Sequence, residues 1–311
     1  MPELCCAGQC WTVEAGANLL DALNLAGYRV PYSCRAGSCH ACLVLCTEGE
    51  PEDARPDALP PEQRAAGWRL ACQCRVRERL TVRVYDPERE GIPASVHSLD
   101  WPASGIARLR LQPRRPFRYD AGQHVLLWAT QDVARPYSLA SLPVEDAWLE
   151  FHIDCRKPGL FADRMRRLAP GDTLRLGNLH GGALHYDPLW DGQPLLLLAS
   201  GTGLAPLWAI LREALRQGHG APIRLVHLGS GYMDEALQAL ARQHPQVDLE
   251  RIEEGQGRQW LAALQPASRR TIALLCGGDD FVQAATRRLF MAGLPRGQIF
   301  SDTFVSATHD A

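Results

Sequence analysis

Lysine is almost missing from this chain. Lys157 is the only one among 33 basic residues in 311. The arginine-heavy remainder fits a codon-biased genome better than a phosphate-gripping surface. A basic excess is missing as well. The net charge of −2 leaves no electrostatic footprint for nucleic acid. No apolar run approaches the ~18 residues that a membrane-spanning helix needs. The longest, Leu195-Leu196-Leu197-Leu198-Ala199, has the length of a buried strand. No basic-then-apolar leader opens the sequence, so the expectation is a soluble cytoplasmic protein with no transmembrane segment. Aromatic residues are few at 7%, yet 46% hydrophobic content supplies core enough for roughly two or three domains.

What the chain does have is cysteine, eleven in all. Three stand at C-x4-C-x2-C spacing as Cys34, Cys39 and Cys42. Cys72 follows after 29 intervening residues. That run is the plant-type spacing for a [2Fe–2S] cluster. Two irons sharing two sulfides need four converging thiolates. One tight loop can give three, and a distant segment must fold back with the fourth. Gly37 suits a backbone wrapped closely round such a centre. Four cysteines can also hold Zn²⁺ tetrahedrally, but zinc sites favour two C-x2–4-C pairs, and here the fourth ligand stands alone. The other seven are Cys5, Cys6, Cys10, Cys46, Cys74, Cys155 and Cys276. An odd remainder is unremarkable in a reducing compartment. Cys5, Cys6 and Cys10 are expected to be surface thiols.

The stretch Pro31-Tyr32-Ser33-Cys34 through Cys42, closed by Leu70-Ala71-Cys72, resembles a plant-type ferredoxin domain. It is similar to the N-terminal domain of the three-part reductases that feed aromatic-ring dioxygenases and bacterial monooxygenases. That family usually has Gly where this chain has His40. The resemblance implies that Cys34, Cys39, Cys42 and Cys72 are the metal ligands. It also implies three domains: a β-grasp ferredoxin domain over 1–91, an all-β flavin-binding barrel over 92–188 and an α/β parallel-sheet nicotinamide domain over 189–311.

The periodicities agree with that order. Apolar residues at helical spacing predict a helix over 18–26, ended by Gly27. Residues 49–64, rich in Pro and acid, predict an exposed loop or short helix, and 80–85 alternates as a strand. The acidic residues Glu48, Glu50, Glu52, Asp53 and Asp57 read as a solvated surface. Strand-like runs recur at 96–99, 106–111, 124–128, 149–155 and 173–176, with one helix over 160–168. Strand and helix then alternate: 195–200, a helix to 217, 223–228, a helix over 234–243, 247–252, 272–276, a helix over 281–291 and 299–304. That pattern predicts a parallel sheet covered on both faces.

Two motifs in the barrel carry chemistry. In Arg135-Pro136-Tyr137-Ser138 an arginine fork can meet a phosphate, a tyrosine can pack on a flavin, and a serine can reach a ring nitrogen. Gly159-Leu160-Phe161-Ala162 opens the helix, where bare N–H groups favour a pyrophosphate. Together they resemble the R-x-Y-S and G-x-x-S pair of the ferredoxin–NADP⁺ reductase superfamily, with Ala162 where a hydroxyl is common. Phe117 to Val125 resembles the strand leading to the flavin. Gly201-Thr202-Gly203-Leu204-Ala205-Pro206 lies between strand and helix, a G-x-G-x-x-P form of the phosphate-binding turn. Cys276-Gly277-Gly278 resembles the family's Cys-Gly-Pro segment beside the nicotinamide ring. A strand-end cysteine is also an ordinary apolar filler. Ser138 and Cys276 are the candidate catalytic residues. Phe304 is the candidate C-terminal flavin contact.

The resemblance implies a current from NADH to FAD to [2Fe–2S] to an external acceptor, an iron-dependent oxygenase, monooxygenase or desaturase. FAD rather than FMN follows from the domain order. NADH rather than NADPH follows from Gly229-Ser230-Gly231-Tyr232-Met233-Asp234, which holds no arginine for a 2′-phosphate. The alternatives are the reductase of a deoxysugar-dehydratase system, which shares this layout, and a zinc-binding or redox-sensing regulatory protein.

Overall fold

The computed structural model describes residues 1–253 and 255–304. Four sheets organise it. The first has five strands, ordered Gln9–Thr12, Glu3–Cys6, Leu80–Val84, Leu43–Glu48 and Trp68–Leu70. The helix Leu19–Leu25 lies across it and buries Leu19, Leu20, Ala22 and Leu23, one face at helical spacing. Each leucine so buried contributes roughly 1.5–3 kcal/mol. Asn18 caps the helix by accepting from the Asp21 N–H at 3.3 Å. The same side chain donates to the Cys72 carbonyl at 2.9 Å, tying the helix to the turn that carries that cysteine.

The six-stranded second sheet runs Ala134–Ser138, His124–Trp128, Thr173–His180, Ile92–Ala103, Ile106–Pro113 and Leu149–Asp154. A bridge between Leu139 and Phe151 joins its two ends into a barrel. Several strands are longer than alternation predicts. The run 96–99 is the middle of the twelve-residue strand Ile92–Ala103, whose second half is largely solvent-facing and so lacks the apolar alternation that marks a strand. Arg135-Pro136-Tyr137-Ser138 is itself an edge strand, a position that tolerates proline.

The third sheet is wholly parallel. Its order is Val247–Ile252, Ile223–Leu228, Leu195–Ser200, Ile272–Gly278 and Ile299–Phe304. The chain reverses direction of growth between Leu195–Ser200 and Ile272–Gly278, which creates a crevice at their carboxyl ends. A short helix, Gly257–Ala263, appears that the periodicity does not announce. A small three-stranded sheet completes the first part of the chain.

Cys5, Cys6 and Cys10 depart from expectation. Cys5 and Cys6 are buried, and Cys5 is joined to Cys10 in a disulfide. The hairpin that opens the chain sets these two residues opposite each other in register, which spacing alone does not reveal. The other nine cysteines are free thiols. Among the described residues no helix is long and apolar enough to cross a membrane.

The sheets share apolar joints. Trp128, Leu126 and Ala134 of the barrel pack into the core of the first sheet, and Trp128 stacks on Tyr85 at 5.2 Å. On the other side, Tyr232 of the parallel-sheet body meets His152 of the barrel at 2.9 Å. His152 holds Glu150 at 3.0 Å, and Glu150 accepts from Arg110 at 2.6 Å. Burial pushes the Glu150 carboxyl up, but His152 and Arg110 outweigh it and hold it at about 2. A carboxyl held below its ordinary 4.5 stabilises the fold above that value and loses the contribution as pH falls toward 2. Glu150→Gln is expected to cost about 1–3 kcal/mol at pH 7, in denaturant unfolding, with the deficit shrinking below pH 4.5 and gone below about pH 2. A deficit independent of pH would mean that the carboxylate charge plays no part.

Candidate redox site

The loop 34–42 wraps its three cysteines around one point, and Cys72 comes in from the turn Ala71–Gln73. The thiols pair two and two. Cys34 contacts Cys39, and Cys42 contacts Cys72. The Cys34 sulfur also accepts backbone N–H groups from Ala36, Ser38 and Cys39 at 3.3, 3.4 and 3.3 Å. The Cys39 thiol and those N–H groups lower the Cys34 thiol, while the same contact and burial raise Cys39, so the two sulfurs share a proton. Gln73 Nε2 donates to the Cys72 sulfur at 3.2 Å. Cys74 lies two residues on, in a strand, fully buried, with burial pushing its thiol up.

This arrangement discriminates between the two metals that cysteines suggest. A single zinc with bonds of about 2.3 Å draws its sulfurs to about 3.8 Å from one another. Among the described residues, no three of these four sulfurs lie within 4.8 Å of one another. The two-and-two pairing suits a two-iron cluster, with one pair of sulfurs facing each iron.

The flavin motifs converge on one end of the barrel. Tyr137 and Phe161 bring their rings to 4.9 Å. The helix Leu160–Arg167 starts at Gly159 without a side-chain cap, so its leading N–H groups are bare. Nothing would meet a Cβ at Gly159, so the approach is open. Ala162 is buried in that first turn. Arg135 is half-buried, and Ser138 is buried directly across from His124 in the strand pairing. An edge strand with an arginine and an uncapped helix together suit an anionic, flat group such as FAD.

In the parallel sheet, Gly201–Gly203 forms a tight turn that runs into the helix Leu204–Arg216. Thr202 is buried, and Pro206 sits in the first turn, where a missing N–H costs nothing. A side chain at Gly203 would run into the Cys276 carbonyl, and one at Gly277 into the Ser200 hydroxyl. The two glycines let the first and fourth strands meet at the crevice, so a dinucleotide can approach bare backbone. The Cys276 thiol is fully buried, with Asp302 beside it in register. Phe304 is half-buried and packs on the same core.

Two features escape the sequence reading. Arg251 comes from the neighbouring strand to the loop after Ile223–Leu228, where Asp234 meets it at 3.5 Å and Glu253 at 3.4 Å. Its register opposite His227 could only be known from the fold. The second is a trio of histidines. His40, from the cysteine loop, lies on His180 with ring centres 3.8 Å apart, and His180 faces His124 at 5.6 Å. Burial pushes the His180 ring down to about 2 and lowers His124 too, so both are neutral near pH 7. His40 in place of glycine was the one visible signal.

Comparison with known proteins identifies two of the domains and the family. Residues 2–77 match the 2Fe-2S iron-sulfur cluster binding domain, and 102–184 the oxidoreductase FAD-binding domain. The chain is 30% identical to the ferredoxin–NAD(P)⁺ reductase component of the naphthalene 1,2-dioxygenase/salicylate 5-hydroxylase systems of Ralstonia sp., over 94% of each chain. It is 33% identical to the reductase subunit of an aromatic O-demethylase of Amycolatopsis sp., over 75% of this chain and 74% of that one. Among solved structures, an Amycolatopsis cytochrome P450 reductase superposes with a TM-score of 0.66 at 28% identity, covering 99% of this chain and all of that one (100%).

Proposed function

We infer that this chain, which belongs to the family of ferredoxin–NAD(P)⁺ reductase components, supplies electrons to an oxygenase. It is an oxidoreductase carrying electrons from NAD(P)H through FAD to a [2Fe–2S] cluster. A flavin accepts an electron pair from nicotinamide and passes it on singly to an iron–sulfur centre. The chain's residues bind, orient and insulate; no protein acid or base is needed for the current itself.

One observation carries the reading. A four-thiol pocket suited to a one-electron centre packs against the barrel that bears the flavin motifs, and the barrel packs on the nicotinamide crevice. We divide the chain at 1–91, 92–188 and 189–311 on that basis. Cys34, Cys39, Cys42 and Cys72 hold the cluster. Arg135 meets a flavin phosphate, Tyr137 lies on the flavin, and Ser138 reaches a ring nitrogen. The N–H groups of Gly159, Leu160, Phe161 and Ala162 receive the FAD pyrophosphate. Gly201, Thr202, Gly203 and Pro206 shape the turn for the nicotinamide dinucleotide, and Cys276 with Gly277 borders its nicotinamide end. The acceptor is a separate iron-dependent oxygenase, monooxygenase or desaturase.

NADH is the donor. Arg251 stands near the loop that would meet a 2′-phosphate, but Asp234 and Glu253 occupy it. The Asp234 carboxylate would also repel that phosphate. Asp234→Asn is expected to raise kcat/KM for NADPH about fivefold, the worth of about 1 kcal/mol, with little change for NADH. Steady-state cytochrome c reduction with each nucleotide checks both claims. NADPH serving the unaltered protein as well as NADH would remove the preference. A flavin-loaded protein that reduces cytochrome c with neither nucleotide would remove the function.

A further inference from the structure

His40 occupies a backbone position that a histidine has no conformational reason to hold. Its φ is +54°, in the left-handed region where glycine is at ease and other residues are strained. The side chain is nonetheless buried, with 8% of its surface exposed. Its Nδ1 has no hydrogen-bond partner, and neither do His180 Nε2 and His124 Nδ1. A strained backbone and three orphaned ring nitrogens are costs that something else must offset. What the ring gains is contact across a joint. It leaves the cysteine loop between Cys39 and Cys42 and packs, tilted at 57°, against His180, the last residue of a barrel strand. His180 pairs with His124 in register, and His124 pairs with Ser138 in the edge strand. An unbroken line of neighbours thus joins the four-thiol pocket to the flavin motif.

We propose that His40 is a positioning residue: by packing against His180 it fixes the cluster loop against the flavin end of the barrel and so sets the rate at which each electron crosses. The proposal rests on the reductase reading above. Each crossing moves one electron from reduced flavin to the cluster and no atom between the two parts, so geometry is what a docking residue can control. The rest of the joint does not depend on it. Tyr85 stacks on Trp128, and Arg29 pairs with Asp132 at 3.3 Å. Removing the His40 ring therefore loosens the loop without separating the two bodies.

The test uses the full-length protein with its cofactors and the variants His40→Gly, His180→Ala and both together. Glycine is at home at this φ, so the loop backbone is kept. Stopped-flow absorbance after anaerobic mixing with NADH reads flavin-to-cluster transfer. Potentiometry and low-temperature electron paramagnetic resonance read the cluster itself. Either single variant is expected to slow the transfer severalfold, because a looser loop lengthens the path that each electron must cross. The double variant should be no slower than the singles, as for two halves of one contact. NADH-to-ferricyanide turnover, the cluster potential and the resonance spectrum should stay as in the unaltered protein. Transfer at the original rate in His40→Gly overturns the proposal. So does a rate that falls in step with a shifted potential, because His40 would then tune the cluster rather than position it. Unaltered protein that never reduces its cluster with NADH would instead overturn the reductase reading.

Discussion

Cys72→Ser is expected to strip the protein of most of its cluster absorbance and to lower NADH-driven cytochrome c reduction by roughly 100-fold or more, as removal of one member of an interdependent unit does. Ferricyanide reduction, which draws on the flavin, should keep most of its rate. The reason is geometric. Cys72 is the one ligand from outside the loop, and it pairs with Cys42 and receives the Gln73 amide at 3.2 Å. Serine offers an oxygen that binds iron far less well and stays protonated near neutral pH. Cys74 is a poor substitute, since it is fully buried and held in the strand Cys74–Val76. Visible absorbance, iron content and the two activities, measured together, check this. A full cluster in Cys72→Ser would mean that Cys74 is the ligand after all.

Gly203→Ala should be nearly as damaging, at the other end of the current. The added methyl points at the Cys276 carbonyl, a backbone atom in the middle of a strand that has no rotamer to change. The first and fourth strands must part at the crevice, at a cost of about 1–3 kcal/mol for an overpacked contact. The turn Gly201–Gly203 would move with them. The expected result is a KM for NADH raised roughly tenfold or more, with flavin and cluster content unchanged and a lowered unfolding midpoint. Isothermal titration with NAD⁺ separates binding from turnover. Unchanged nucleotide affinity would show that this glycine does not shape the crevice.

Much of this was legible in the residues themselves, for identifiable reasons. Local patterns carried furthest. Strand 195–200 and helix 234–243 have the bounds expected, because buried parallel strands are continuous apolar runs and their helices are strongly amphipathic. The C-x4-C-x2-C loop is a local signature too, since three ligands of one centre must be neighbours in sequence. What could not be read depends on register or on distant contact. The Cys5–Cys10 disulfide needs the hairpin pairing. Arg251 reaches the nucleotide loop from an adjacent strand, so a search of the loop alone finds no arginine. His180 lies 140 positions from His40, and only the joint between the first sheet and the barrel brings them together. In each case the missing information is which strands lie side by side.

The most direct test of the whole account is an anaerobic visible spectrum of the purified protein before and after one equivalent of NADH. The account predicts overlapping flavin and cluster bands at the start, and bleaching of both on addition. Flavin bleaching with an unchanged cluster would contradict the continuous current. Colourless protein from an anaerobic preparation would contradict the assignment of both centres.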